Sequence, residues 1–367
     1  MKKLTICILI LIMILAIVKI AQIRGFDMDT LKNITIGSDK KSEKKLEKTD
    51  GLVTVPSLED EIETDTIWCG TFQLIWNDLK NDLAKQDIVF DPQSKIAENL
   101  NKETFTTKDI SDKYYYKKIG VPTIELKQEI EKAIKEKFDE TSDILDDFNW
   151  DGKTKEDYFL YAMLKKEFQF KTVFDEFENG KFKEYENIKY FGVRKNSDYE
   201  KRNQITVLYY DSPENFAIKL KTKQEDEVIL CKNPDGKTFN EIYKNIGEKE
   251  QNFKGNRNIE ENEIVKIPNI NLNEKAEFNE IENKPFYFSN GNTYFIEKAI
   301  QTIQFELDKT GGKIKSEAGM MTNKASITMP EKAREFIVDD TFAIFLKETE
   351  KDTPYFAGKI NDITKFQ

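Results

Sequence analysis

Residues 335–345 read EFIVDDTFAIF, and positions 341–346 at their end form a short aromatic and β-branched run bounded by Asp339-Asp340 and by Lys347-Glu348. That pattern predicts a strand. Similar short runs lie upstream at 205–210, 216–220, 227–231, 263–267, 286–288 and 302–308, separated by Asn, Gly, Asp and Pro. The first half of the chain reads differently. Residues 72–83, 123–138 and 157–165 carry apolar positions at helical spacing, clearest at Ile124, Leu126, Ile130, Ile134 and Phe138. Helices followed by strands predict an α+β class with mainly antiparallel sheets. No Pro/Gly/Ser-rich break or repeat interrupts residues 52–367, so one domain is expected there.

The chain has 367 residues, 38% of them hydrophobic, enough for a large core. It contains no histidine, which removes Ser-His-Asp and Cys-His catalysis and His-ligated zinc. Its 57 Lys+Arg stand against 67 Asp+Glu, a net charge of −10, and this acidity argues against a nucleic-acid partner, because phosphate binding needs a concentrated basic excess. Cys7, Cys69 and Cys231 are too scattered for a disulfide framework or a thiolate metal site. Cys69 and Cys231 read as buried thiols, with a pair formed outside the cell as the alternative.

Lys2 and Lys3 precede residues 4–18 (LTICILILIMILAIV), and Ile20, Ala21 and Ile23 extend the apolar character past Lys19. Residues 1–23 are therefore a membrane anchor or signal segment. The VKIAQ sequence at 18–22 is a poor cleavage site, so an uncleaved anchor is favoured. Residues 4–23 match the length that spans a bilayer, and the leading lysines place the N-terminus in the cytoplasm. The main domain is then extracellular, or secreted if the segment is cleaved. Residues 24–51, ending in SDKKSEKKLEKTDG, alternate Lys and Glu without an apolar stripe and read as a charged linker.

Short chemical motifs fail when checked. Asp147 to Gly152 matches the opening of a calcium loop, but Tyr158 stands where a bidentate Glu is required. Gly236-Lys237-Thr238 mimics the end of a P-loop, yet Cys231 replaces its first Gly; a turn is expected there, with no strand-to-helix frame. There is no G-x-S-x-G elbow, and nothing singles out a carboxylate pair or a Ser-Lys dyad. The expectation is a protein that is not an enzyme and has no metal site and no cofactor.

The C-terminal hundred residues resemble the serpin family of protease inhibitors. Residues 335–345 are similar to that family's EFxADxPFxFxI signature, with Thr341 in place of Pro, and 356–360 (FAGKI) resemble its closing FxGKV strand. Residues 296–301 (IEKAIQ) through 306–311 (ELDKTG) are similar in register to VSKVVHK…EVNEEG, the strand leading into the reactive loop. Weaker similarity links 134–145 to the helix ending EKTNGKIKDLL, 159–175 to VLVNAIYFKGKWKKPFD, 265–269 to VSLPKF and 67–74 (IWCGTFQL) to the VFISPLSI segment before an early buried helix. The family's first helix is then lost or replaced by the linker. The resemblance implies three mainly antiparallel β-sheets, surrounding helices and an exposed reactive loop at about 311–335.

It also implies a mechanism. In this family an attacking protease cuts the loop, the cut segment inserts into the main sheet as a new strand, and the acylated protease is carried with it. The corresponding hinge residues are Lys309, Gly311, Gly312, Ile314, Ser316 and Ala318. The scissile bond falls in the region of Lys324, Ala325 and Ser326, with Lys324 suited to a trypsin-like and Ala325 to an elastase-like protease. The expected partner is an extracellular serine or cysteine protease. Three departures bear on sheet opening: Gln301 replaces a buried His, Lys309 an acidic hinge residue, and Gly70-Thr71 a Ser-Pro pair. Ile314 is also larger than the small hinge residues the family uses. One strand register nevertheless reads Gly312, Ile314, Ser316, Ala318, Met320 and Thr322, all apolar or small, while the other carries Lys313, Lys315 and Glu317. An exposed loop would show the same alternation without moving. A non-inhibitory binding or structural module on a serpin-like fold is therefore the alternative.

Overall fold

The computed structural model describes residues 48–312 and 333–367. The strands of the first half are β1 (Val53–Thr54), β2 (Thr66–Cys69), β3 (Tyr115–Gly120), β4 (Phe159–Leu164), β5 (Phe168–Gln169), β6 (Asp175–Phe182) and β7 (Tyr185–Val193). They are followed by β8 (Ile205–Ser212), β9 (Asn215–Lys221), β10 (Asp226–Lys232), β11 (Ile264–Pro268), β12 (Ile270–Glu277), β13 (Pro285–Tyr287) and β14 (Thr293–Phe295). The last five are β15 (Ile300–Leu307), β16 (Gly311–Gly312), β17 (Glu335–Ile337), β18 (Phe342–Glu348) and β19 (Phe356–Ile360). Helices are α1 (Thr71–Asp78), α2 (Lys95–Leu100), α3 (Ile124–Phe138), α4 (Tyr199–Asn203) and α5 (Phe239–Asn252).

The stretch 335–345 serves two sheets. Its first part, β17, is the edge of a four-stranded sheet ordered β17-β11-β7-β6, parallel to β11. Its second part begins β18, an inner strand of a seven-stranded sheet ordered β1-β2-β19-β18-β10-β9-β8. Asp339 fixes the crossing between them: its carboxylate accepts from Lys232 Nζ at 2.6 Å and its carbonyl from the Lys183 amide at 2.9 Å. Every residue of β10 is buried, as are the first five of β18, because each strand has partners on both edges and layers on both faces.

All seven expected strands are present, shifted by one or two residues at their ends. Helix 72–83 appears as α1 with a π-type continuation over Leu79–Ala84, and helix 123–138 as α3, whose N-cap Thr123 accepts from the Leu126 amide at 3.2 Å. Residues 157–165 are a correction: they contain the strand β4, not a helix. FLYAML is apolar at every position because both faces of the strand are covered, and an all-apolar run hides the period that separates strand from helix. A second correction concerns 236–238, which do join a strand to a helix, with Thr238 capping α5 through its contact with the Glu241 amide at 3.1 Å. Cys231 still lies inside β10. Cys69 and Cys231 are both free thiols, Cys231 buried with its sulfur 3.2 Å from the Tyr209 hydroxyl and Cys69 partly exposed.

No helix among the described residues is long and apolar enough to cross a membrane; residues 4–23 lie outside them. The class is α+β and its pairings are antiparallel except β1–β2 and β11–β17. The remaining strands form four two-stranded pairs, β3–β4, β12–β15, β5–β16 and β13–β14, and the first two flank one cavity like the halves of a divided sheet.

Candidate functional site: an open slot in the divided sheet

On one side of the division β15 pairs along its whole length with β12, from Ile270↔Leu307 to Glu277↔Ile300. On the other, β4 pairs with β3, from Tyr115↔Leu164 to Gly120↔Phe159. The second edges of β4 and β15 pair with no named strand among the described residues, and a cavity of about 930 Å³ lies between them, lined by β4, β15, Lys166, Phe168 and Gly312. Its inner wall is apolar: Ile303, Phe305 and Leu307 are buried toward the core while Gln304 and Glu306 point outward. On β4, Leu160 and Leu164 pack against the main cores, and Phe159 and Tyr161 lie under α3 with Leu126, Ile130 and Ile134.

The expected hinge closes the head of this slot. Asp308 Oδ1 accepts from both the Thr310 amide and its hydroxyl at 2.7 Å, and Asp308 and Gly311 exchange backbone hydrogen bonds of 3.0 and 3.3 Å. The chain thereby reverses after β15. Gly311 has φ +140°, and a Cβ there would meet the Phe168 carbonyl oxygen at 2.3 Å, so only glycine fits. Gly311 and Gly312 then pair antiparallel with Gln169 and Phe168. These two residues lie between β5 and β15 as the first two positions of a strand in the slot. Lys309 forms an ion pair with Glu176 of β6, both partly exposed, so the charge that departs from the family pattern has found an acid of its own. Ile314, Ser316, Ala318, Lys324, Ala325 and Ser326 lie outside the described residues.

Gln301, flagged by its departure from the family, is 4% exposed and donates through Nε2 to the Cys69 carbonyl at 2.9 Å and to Thr71 Oγ1 at 2.7 Å. It ties β15 to the start of α1. Burial pushes the neighbouring Cys69 thiol up, which keeps it protonated and unreactive.

Sequence reading missed a buried charge cluster beside the hinge. The Lys166 ammonium lies 2.8 Å from Asp226 Oδ1 of β10 and 2.5 Å from Glu348 Oε1 of β18, with the Tyr114 ring centre 3.9 Å away. Tyr355 donates to Asp226 at 3.3 Å. Burial raises the Asp226 carboxyl and Lys166 opposes that rise. The sequence carried little signal, since Lys166 sits in the charged triplet Lys165-Lys166-Glu167 and its partners lie 60 and 182 positions away (226 and 348 less 166).

No family model and no curated protein sequence matches the chain. Among solved structures it is similar to thyroxine-binding globulin in complex with thyroxine (TM-score 0.48, 11% identity, 82% of this chain and 93% of that one). It is also similar to Serpin48, described as a highly specific serpin in the insect Tenebrio molitor (TM-score 0.45, 10% identity, 82% and 92%). A third is native protease nexin-1 with heparin (TM-score 0.46, 12% identity, 70% and 80%). All three are serpins, and the likeness is one of fold.

Proposed function

We propose that this chain is a serpin-like protease inhibitor whose loop, once cut, enters the slot and traps the protease. The observation that carries the reading is the seat of Gly311 and Gly312 between β5 and β15, at the head of a gap that no named strand among the described residues occupies. Continued in the register those two set, Ile314 would face Lys166 and Phe305, Ser316 would face Leu164 and Ile303, and Ala318 would face Ala162 and Gln301, all on the core side. Lys313, on the outer side, would fall between Glu167 and Glu306. Each residue that enters gains a ladder hydrogen bond of about 1 kcal/mol but loses ~1–2 kcal/mol of backbone entropy. Burial of Ile314 and Met320, at ~1.5–3 kcal/mol each, offsets that loss.

Attack by the protease nucleophile on the Ala325 carbonyl would release the Ser326 amine and leave an acyl-enzyme at the end of the moving strand. The domain is placed outside the cell on the strength of residues 4–23 alone. The test is to mix purified full-length protein with elastase-like, trypsin-like and papain-like proteases and inspect denaturing gels. A protease that cuts between residues 323 and 329 is expected to give a higher-mass band, and Ile314→Asp, which would bury a third carboxylate beside the one Lys166 ammonium that Asp226 and Glu348 already share, is expected to abolish it. Cleavage without any such band by every protease would leave the second reading, a non-inhibitory binding or structural module. That reading draws support from the Lys309–Glu176 pair, which holds the hinge by a contact unlike the family's.

A further inference from the structure

Asp226 and Glu348 stand directly opposite each other on β10 and β18, and the Lys166 ammonium sits against both carboxylates, 2.8 Å from Asp226 Oδ1 and 2.5 Å from Glu348 Oε1. The place is almost dry. The side chains of Lys166, Asp226 and Glu348 are 2%, 0% and 12% exposed, and the Tyr114 and Tyr355 ring centres lie 3.9 and 5.1 Å from the ammonium. Glu348 Oε2 accepts from the Ser111 amide at 3.2 Å and Asp226 Oδ1 from the Tyr355 hydroxyl at 3.3 Å. Asp226 Oδ2 is buried with no hydrogen-bond partner among the described residues. One ammonium thus serves two buried acids and one acid oxygen is left bare, an arrangement that is costly as ions.

We propose that this cluster is a self-modification site, where Lys166 Nζ condenses with the Asp226 carboxyl to form an amide between the two side chains and Glu348 carries the proton. First the ammonium passes a proton to Oδ2, the oxygen with no other partner, because burial favours the neutral amine and acid over the ions. The amine attacks Cγ, and the Tyr355 hydroxyl stabilises the charge that develops on Oδ1. Glu348 then takes a second proton from the nitrogen and delivers it to the Oδ2 hydroxyl. The N–C bond forms, the Cγ–Oδ2 bond breaks, Oδ2 leaves as water with the two protons the nitrogen sheds, and Glu348 ends ionised as it began. Such a condensation is slow between separate molecules in water, but reactants held in contact behave as if highly concentrated. The water has an exit, since Lys166 and Tyr355 line the cavity. Lys232 and Asp339, 2.6 Å apart, do not meet the same condition: the Asp339 side chain is 42% exposed, so hydration keeps that pair as ions. The amide ties the chain beside the hinge to β10 and leaves the cluster no cation to spare.

Peptide mapping of the purified full-length protein, kept folded at neutral pH for several days, tests this. Trypsin is expected to give a branched peptide joining residues 166–171 to 224–232, lighter than the two separate peptides by one water. In Glu348→Gln, which keeps the shape of the side chain but cannot ionise, the bond is expected to form ~100-fold more slowly, as loss of a positioned proton carrier predicts. Recovery of 167–171 and 224–232 only as separate linear peptides from the parent overturns the proposal. A parental rate in Glu348→Gln overturns the part given to Glu348. The parent alone decides whether the bond exists, so that outcome does not depend on a variant folding; Glu348→Asp, whose shorter acid is expected to slow the bond in the same way, replaces Glu348→Gln if that variant does not fold.

Discussion

In the seven-stranded sheet β10 is paired on both edges, by β18 from Asp226 to Lys232 and by β9 from Glu227 to Lys232, and every residue of it is buried. In the divided sheet β4 and β15 each have one edge without a strand partner among the described residues, across a cavity of about 930 Å³. The same antiparallel geometry is complete in one region and incomplete in the other. Unpaired ladder groups are the higher-energy arrangement, so stability resides in the first sheet and the capacity to change resides in the second.

Substitutions that break this contrast should differ sharply in size. Phe345→Ala removes a fully buried ring that packs 5.3 Å from Tyr243 and 6.1 Å from Phe239, and should cost ~3–5 kcal/mol in denaturant unfolding. Met163→Ala, on half-buried β4, should cost about 1 kcal/mol; equal losses would erase the distinction. Lys166→Ala, where the two regions meet, should cost ~3–5 kcal/mol because it leaves Asp226 buried without its cation. A loss below about 1 kcal/mol would mean that the cluster does not hold the hinge side to the closed sheet.

Asp60, buried against Ser57 and Asn99, gives the pH dependence. Burial holds its carboxyl up at about 6 against 3.8 for a free one. The folded state therefore keeps a proton that the unfolded chain has released, and stability falls as pH rises from about 4 through 6, by up to ~3 kcal/mol. Asp60→Asn should flatten that window in urea titrations; an unchanged slope would assign it to other groups. Gln301→Ala should cost about 1–2 kcal/mol by the same assay, because it removes two hydrogen bonds from one buried amide. No loss at all would mean that β15 is held without that tie.

Regions of the sequence differed in legibility for physical reasons. Strands β8, β9, β10 and β18 of the closed sheet announced themselves through β-branched and aromatic runs between turn residues. β4 did not, because a strand covered on both faces has no alternation. β12 alternates cleanly in burial over INLNEKAE, but its polar positions, including buried Glu274, masked the period. At the site, Gly311 and Gly312 were legible through their resemblance to a known hinge, and Gln301 through its departure from one. The Lys166–Asp226–Glu348 cluster was not, since its members are brought together only by the fold. Asp147 was noticed for the wrong chemistry: its spacing suggested calcium, and its carboxylate serves Lys275.

The most direct measurement is the melting temperature of the full-length protein before and after its loop is cut between residues 323 and 329 and the protease removed. We expect a rise of about 5 °C, since insertion worth a few kcal/mol shifts a domain of roughly 300 residues by ~1.5 °C per kcal/mol. An unchanged or lower melting temperature would contradict insertion of the loop into the slot between β4 and β15.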